Sequence, residues 1–192
     1  MKVARLPELD VIYNLMNLIE QRFSEAYWLL QEVKEMDPTK ILEIGTGHGG
    51  TAALLATTGA IVYTVDKSEF SGYSWNEEWY KEEFPDAKII RIIGDSGSPE
   101  IIQQIEGLAP FDFVFIDGGH SAEVWTDWRV YSKLGRFVGF HDIIGYENEP
   151  PKLWAKIKED YPKTKEIFCE KATKWGDFWG WGTGGGIGIV EL

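Results

Sequence analysis

The sequence has little cysteine and few basic residues, and both shortages narrow what the protein can be. Cys169 is the single cysteine among 192 residues, which excludes an internal disulfide and a zinc site built from several cysteines. Lys and Arg number 19 against 31 Asp and Glu, giving a formal net charge of −12. Phosphate backbones and anionic membrane surfaces repel so acidic a chain, so we expect neither nucleic acid nor a membrane as a partner.

Long apolar runs are also absent. No stretch approaches the roughly 18 apolar residues of a membrane-spanning helix, and the opening MKVARLPELD lacks the apolar segment of a signal peptide. Together with the single cysteine, this favours a cytoplasmic protein. With 44% hydrophobic residues, a chain of 192 residues is long enough for one domain, spanning 1–192, with a core of its own.

Short apolar runs alternate with helical patterns along the chain. The runs predicted to be strands are KILEI, IVYTVD, KIIRIIGD, FDFVFID, RFVGFHD, KEIFCE and GIGIVEL. Apolar residues at helical spacing fill 8–36, 51–59, about 75–84, 98–108, 121–135 and 150–162. Asp37-Pro38 should end the first helix, Gly59 the second, and Ser98 and Ser121 should cap two later ones.

This alternation predicts an α/β fold, a single doubly wound Rossmann-like domain with a seven-stranded, mostly parallel sheet. The last two strands have no helix between them, so we expect an antiparallel hairpin at one edge of the sheet. Residues 1–37 should form an N-terminal helical cap. Its apolar face could cover the sheet or serve the interface of a homodimer, and the sequence leaves both open.

Aspartates stand where four of the predicted strands end: Asp66, Asp95, Asp117 and Asp142. In an open α/β sheet, ligands bind beyond the carboxyl ends of the strands. Any one of these residues could be a helix cap or a solvated turn. Four acids at one edge indicate a binding site there.

The first strand runs into a glycine loop, EIGTGHGG, where Gly45, Gly47 and Gly49 let the backbone turn and a ligand approach. Asp66 then ends the next strand, at the spacing of an acid that binds ribose hydroxyls. Gly45, Gly47 and Gly50 also satisfy the GxGxxG pattern of dinucleotide-binding folds. Glu43 in place of an apolar residue, the lack of room for a substrate domain, and the polar GDS at 94–96 argue against NAD.

The motifs ILEIGTGHGG, IVYTVD, IIGDS and FDFVFIDGGH resemble, in order, four motifs of the class I S-adenosylmethionine-dependent methyltransferases. The resemblance covers about residues 38–142. LEIGTGHGGT, FIDGGHSAEVWTDW and FHDI are more narrowly similar to small-molecule O-methyltransferases and cephalosporin-hydroxylase-like proteins. The resemblance implies an enzyme that transfers a methyl group from S-adenosylmethionine to a small hydroxylated acceptor, such as a sugar or a natural product.

The resemblance also implies roles at matching positions. Asp66 should bind the ribose, and Asp95 and Ser96 should meet the adenine. The residues expected around the methionine end are Glu43, Gly45, Gly47 and Thr51, and Thr46, Gly49, Lys67 and Asp117 complete the expected cofactor-binding set.

Metal-dependent relatives hold magnesium with an acid after the fourth strand and an acidic pair after the fifth. The matching residues here are Asp117, His141 and Asp142, so the resemblance implies a divalent metal such as Mg²⁺ or Mn²⁺. His141 departs from that pattern, because magnesium prefers oxygen ligands, and an imidazole raises the odds of manganese, iron or zinc. Alternatively, His141 is a satisfied polar residue and there is no metal.

His120 follows Asp117 by three residues, the position at which the same relatives carry a general base. We therefore expect His120 and Asp117 to be catalytic, with His120 taking the proton of the acceptor hydroxyl. A hydrogen-bonding residue at a helix start is the structural alternative. The glycine-rich aromatic segment 175–186 could close over the site as a lid.

Two other functions stay open at this point. One is an NAD-dependent oxidoreductase, and the other is a protein that binds S-adenosylmethionine without catalysing methyl transfer. Binding measurements with the two cofactors separate the first from the rest.

Overall fold

The computed structural model describes residues 7–16, 18–19, 21–67, 77–145, 149–168 and 185–192. Its helices are α1 (Pro7–Leu15), α2 (Phe23–Met36), α3 (Gly50–Ala56), α4 (Glu77–Glu83), α5 (Pro99–Glu106), α6 (Glu123–Tyr131) and α7 (Glu149–Asp160). Its strands are β1 (Lys40–Ile44), β2 (Ile61–Asp66), β3 (Lys88–Ile93), β4 (Phe111–Ile116), β5 (Gly135–Ile144), β6 (Thr164–Ile167) and β7 (Gly185–Glu191). No helix in these ranges is long and apolar enough to cross a membrane.

The strands form one seven-stranded sheet in the order β3-β2-β1-β4-β5-β7-β6. Neighbours from β3 to β5 run parallel, and β7 is antiparallel to both β5 and β6. The predicted mostly parallel sheet with an antiparallel C-terminal hairpin at its edge is therefore confirmed. The strand order reverses between β1 and β4, and crevices at such a switch point are where ligands bind in these sheets.

Helices cover both faces of the sheet, which is why its central strands are apolar on both sides. In β4, Phe113 and Phe115 pack on one face, in a cluster that includes residues of α2 and α3. Val114 and Ile116 alternate with them and pack on the other face, in a cluster that includes α6 and α7. Burying each of these side chains stabilises the fold by about 1.5–3 kcal/mol, so the ends of β4 are firmly placed.

The N-terminal region is two helices, not the single helix predicted over 8–36. The predicted end is confirmed, since Asp37 caps α2 with a left-handed backbone, φ 49°. The break lies between Leu15 and Phe23, and at the start of α2 the Glu25 carboxylate accepts from the backbone N–H of Arg22 at 2.9 Å. The break leaves Gln21 outside both helices, and the residue is only 2% exposed.

Two predicted helix caps have different outcomes. Ser98 caps α5 as expected, its Oγ accepting from the backbone N–H of Ile101 at 3.4 Å. The cap assigned to Ser121 is wrong, because Ala122 occupies that position and the Ser121 hydroxyl donates to Glu123 instead. Of the predicted lid at 175–186, residues 175–184 lie outside the described residues, as does Cys169, whereas Gly185 and Gly186 begin β7.

Candidate functional site

The glycine loop after β1 is pressed against the end of β4. Gly45 has φ +98°, and a Cβ on it would lie 2.1 Å from the carbonyl oxygen of Asp117. No other residue fits there, because the clash is with backbone. The sequence predicted that a ligand approaches closely at the glycines, which stays a prediction; the close contact of Gly45 in the fold is with the backbone at Asp117.

Asp66 closes the same loop from the end of β2. Its Oδ2 accepts from the backbone N–H groups of Thr46 and Gly47, both at 3.0 Å. The carboxylate therefore fixes the course of the glycine loop. Its expected role toward a ribose stays a prediction.

Glu43 lies inside the sheet and is 0% exposed. Its Oε2 accepts from the Thr64 hydroxyl at 2.5 Å, and that hydroxyl also lies 2.7 Å from the Thr46 Oγ1. Burial raises the pKa of Glu43 well above its usual value, and the charges of Asp117 and Asp66 act in the same direction. Glu43 therefore supports the glycine loop through Thr64 and Thr46, and its Oε1 is buried and lacks a hydrogen-bond partner among the described residues.

Gln21 joins the start of α3 to the end of β4. Its Oε1 accepts from the Thr51 hydroxyl at 2.7 Å, and its Nε2 donates to Asp117 Oδ2. Thr51 belongs to α3, which begins directly after the glycine loop. The N-terminal region thus reaches into the site and orients one oxygen of Asp117.

Asp117, His141 and Asp142 come together at the ends of β4 and β5, with one ligand atom of each within 4.8 Å of the others. His141 Nδ1 is 3.1 Å from Asp117 Oδ1 and 3.6 Å from Asp142 Oδ2. Two carboxylates and one imidazole at this spacing form a donor set that suits manganese, iron or zinc better than magnesium. The three residues therefore fit a divalent cation.

The second ring nitrogen of His141, Nε2, faces away from Asp117 and Asp142. Nε2 is buried without a hydrogen-bond partner in the described structure, 3.8 Å from Oε2 of Glu25. Glu25 is 1% exposed and is held by the backbone N–H groups of Arg22 and Gly186, both at 2.9 Å. This arrangement turns the Nδ1 side of the ring toward the aspartates.

Asp142 has an unusual backbone. Its φ of +58° is left-handed, and the pairing of β5 with β7 shifts register between His141 and Ile144. The strand was expected to stop at Asp142 but continues through this irregularity to Ile144. A strained residue in a bulge re-aims its side chain, and here the carboxylate of Asp142 points toward the histidines.

His120 lies on the loop after β4, and its Nε2 is 2.8 Å from Asp142 Oδ2. The hydrogen bond to Asp142 raises the pKa of His120 above its ordinary value, against the effect of burial. Burial alone would raise the pKa of Asp142, but His120 and His141 hold it below its usual value. The His120 side chain is 45% exposed, so its ring is open to a molecule in the cleft.

The end of β3 supplies a separate group. Asp95 Oδ2 lies 3.6 Å from Lys67 Nζ, and Asp95 Oδ1 accepts from the Gly97 N–H at 3.0 Å. Ser96 donates through Oγ to Asp127 Oδ1 at 2.8 Å. The residues predicted for the adenine therefore form one loop, held from α6.

Sequence reasoning missed Gln21, Glu25 and Asp127. Their partners are distant in sequence, 96 residues for Gln21 and Asp117 and 161 for Glu25 and Gly186. The sequence offers no local signal for Gln21, because Glu20 and Arg22 beside it are polar as well.

The strand order is that of a class I methyltransferase fold, and comparison with solved structures agrees. An O-methyltransferase from Bacillus cereus, determined in complex with SAH, superposes with a TM-score of 0.67 at 19% identity, covering 100% of this chain and 94% of that one. TomG from Streptomyces achromogenes, an O-methyltransferase involved in tomaymycin synthesis and determined with SAM, gives 0.67 at 16% identity, covering 100% and 92%.

A putative caffeoyl-CoA O-methyltransferase from Staphylococcus aureus is similar with a TM-score of 0.62 at 17% identity, covering 95% of this chain and 91% of that one. Comparison with protein-family models and with curated protein sequences gives no match. At these identities the likeness establishes the fold, which is the one predicted from the sequence motifs.

Proposed function

We propose that the protein is an S-adenosylmethionine-dependent O-methyltransferase that acts on a small hydroxylated molecule with the help of a divalent cation. The observation that carries this proposal is the convergence of Asp117, His120, His141 and Asp142 beside the glycine loop, at the carboxyl ends of β1, β4 and β5. The similar solved O-methyltransferases, two of them determined with SAH or SAM, support the choice of cofactor.

Bound at the glycine loop, S-adenosylmethionine would supply a methyl group on a positively charged sulfur. Transfer is an in-line displacement in which the acceptor oxygen bonds to the methyl carbon and the carbon–sulfur electron pair goes to sulfur. The chain has mainly to position the two reactants and exclude water. The loop fixed by Asp66 and the strand end fixed by Gln21 are suited to that role.

His120 would take the proton that the acceptor hydroxyl loses. With Nε2–H donating to Asp142 at 2.8 Å, Nδ1 carries the lone pair. Asp142 would orient the ring and stabilise its charge after the proton arrives. General base catalysis of this kind typically contributes about 10²–10⁴-fold in rate.

Asp117, His141 and Asp142 would hold the cation. Its chemistry there would be to lower the pKa of an acceptor hydroxyl placed against it. Because His141 stands where an acid is expected, we propose Mn²⁺ or another borderline metal in preference to Mg²⁺.

The first experiment is calorimetry with S-adenosylhomocysteine and with NAD. We expect S-adenosylhomocysteine to bind and NAD not to bind. Binding of NAD without S-adenosylhomocysteine would overturn the proposal in favour of an oxidoreductase. If S-adenosylhomocysteine binds but no hydroxylated acceptor in a broad panel is methylated, the protein is a binding protein instead.

Two variants then test the residue roles. His120→Ala should keep its affinity for S-adenosylhomocysteine and lose methyl transfer by about 10²-fold or more; full turnover in this variant removes the base assignment.

His141→Asp should bind Mg²⁺ more tightly relative to Mn²⁺ than the wild type does, measured by calorimetry with each metal. Unchanged selectivity, or no metal bound by the wild type, contradicts the metal assignment.

A further inference from the structure

Asp127 is a buried carboxylate that the proposed chemistry leaves unused. It lies on α6 and is 1% exposed. Among the described residues, no Lys, Arg or His forms an ion pair with it. Burial raises the pKa of Asp127 to about 6, although a hydrogen bond from Ser96 opposes the shift.

A buried acid without a cation destabilises the folded chain. Asparagine would accept a hydrogen bond from Ser96 equally well and would not carry that cost. Structural need alone therefore does not explain an aspartate at this position. Its neighbours indicate what else it does.

Two side chains of α6 hold Ser96. The Ser96 hydroxyl donates to Asp127 Oδ1 at 2.8 Å, and the Tyr131 hydroxyl donates to the Ser96 carbonyl at 2.5 Å. Ser96 follows β3, whereas α6 follows β4, and β2 and β1 lie between those strands in the sheet. These two hydrogen bonds thus connect the walls of the crevice at the strand ends.

Asp127 also lies close to the loop after β4. A Cβ on Gly118 would be 3.8 Å from Asp127 Oδ2, and Gly118 directly follows Asp117. The charged groups that act on Asp127 are Asp95, Lys67 and Glu123, with the single cation lowering its pKa and the two acids raising it. The carboxylate thus stands between the two loops that border the crevice.

We propose that Asp127 is a positioning residue that holds Ser96, and with it the loop 94–97, against α6 to receive the adenine end of the cofactor. This inference rests on the proposed function, because it takes S-adenosylmethionine as the ligand of the crevice. It adds to that function a residue from outside the strand ends, which acts through Ser96 and not by touching the cofactor.

The test measures the affinity for S-adenosylhomocysteine and for 5′-methylthioadenosine, which carries the adenosine end alone. Asp127→Ala should weaken both by about tenfold, the value of a lost hydrogen bond to a charged group. Asp127→Asn should weaken them less, since its amide oxygen still accepts from Ser96. In a Ser96→Ala background, Asp127→Ala should add less than about twofold, because a residue that acts through Ser96 has nothing left to position.

A pH profile gives a readout that a purely structural role would not produce. The hydrogen bond from Ser96 is stronger to a carboxylate than to a neutral acid. The wild type should therefore bind S-adenosylhomocysteine about three- to fivefold more tightly at pH 7 than at pH 5, and Asp127→Asn should show no such step. If Asp127→Ala does not fold, the comparison of the pH profiles of Asp127→Asn and the wild type tests the inference on its own.

The matched control is Asp112→Asn, an acid in a hydrogen-bond network at the opposite end of the sheet, which should leave both affinities unchanged. Three results would overturn the inference: wild-type affinity in Asp127→Ala, additive effects with Ser96→Ala, or the same pH profile in wild type and Asp127→Asn. A wild type that binds neither ligand overturns the proposed function itself, and this inference with it.

Discussion

The two ends of the sheet carry charge in opposite ways. At the carboxyl ends of the strands, His141 lies within 4 Å of both Glu25 and Asp142, and the three side chains are only 1–8% exposed. At the amino ends, Glu191 pairs with Arg136 at 3.1 Å and with Lys163 at 3.0 Å, and those two cations are 69% and 68% exposed. The carboxyl end buries its charged groups at a cost in stability, whereas the amino end keeps its charged groups in water.

The contrast separates charges kept for function from charges kept for solubility. Exposed ion pairs contribute little to stability. Buried charges are costly unless they are fully paired, and the carboxyl end adds backbone strain at Asp142. A chain selected for stability alone would have no reason to place its buried charges at the edge where ligands bind. Four substitutions test this difference, and the first two each have a counterpart away from the site.

The largest effect should come from Gly45→Ala. The new Cβ would lie 2.1 Å from a backbone oxygen at φ +98°, so we expect a loss of at least ~4 kcal/mol in the free energy of unfolding or no folded protein. Gly59→Ala is the control at the amino end, with φ +90° but nothing within 4 Å of the added carbon. It should cost about 1–2 kcal/mol. Denaturant unfolding measures both, and equal losses would refute the close approach at Asp117.

The second effect concerns the two aspartates at opposite ends of β4. Asp117→Asn should lower methyl transfer by about 10²-fold or more and abolish metal binding, since it removes an anionic ligand that also faces His141. Asp112 accepts from the backbone of Thr39 and Lys40, at 2.8 and 3.0 Å, and Asp112→Asn should cost about 1 kcal/mol or less of stability and no activity. Turnover assays and metal titration distinguish them, and an active Asp117→Asn enzyme would contradict the site.

The third effect is the dependence of stability on pH at Asp127. The pKa of Asp127 in the folded chain is about 6, above the usual 3.8. The free energy of unfolding that Asp127 contributes is therefore fully present below pH 4, where the acid is neutral, and is lost as the pH rises through 6. The loss is about 3 kcal/mol at most, at ~1.4 kcal/mol per pKa unit. The difference between wild type and Asp127→Asn, measured from pH 4 to 7 by denaturant unfolding, isolates it from acids whose pKa is lowered. A constant difference over that range would mean that Asp127 is not an acid with a raised pKa.

The smallest effect should come from Lys163→Gln, which breaks an exposed pair with Glu191. We expect no measurable change in Tm or in activity, because water screens both charges. A clear loss of stability would show that the amino end also depends on its charges, and the contrast between the two ends would fail.

The sequence was sufficient to predict the sheet and the acids at its carboxyl edge. An aspartate at the end of an apolar run can be placed from the sequence. All parallel strands point the same way, so Asp66 and Asp117 must lie at the same edge of the sheet. Asp117 and Asp142 come together because β4 and β5 are neighbours in the sheet. These predictions needed only local pattern and topology.

The remaining parts of the site needed three-dimensional information. Gln21 sits in a break that the apolar spacing of 8–36 concealed, and only the fold brings it to Asp117. Asp127 looks like one more polar position on a helix until α6 meets the loop after β3. The bulge at Asp142 arises from pairing with β7, which begins more than 40 residues later in the chain.

That last strand has a consequence for how the protein folds during synthesis. Gly185–Glu191 inserts between β5 and β6, although it is translated after both. Until β7 leaves the ribosome, β5 has an open edge and β6 has no partner strand. Glu25 also lacks the N–H of Gly186, which lies 161 residues further along the chain. Contacts this distant in sequence form slowly. We therefore expect the nascent chain to form most of its sheet early and to complete the site only after β7 has been synthesised.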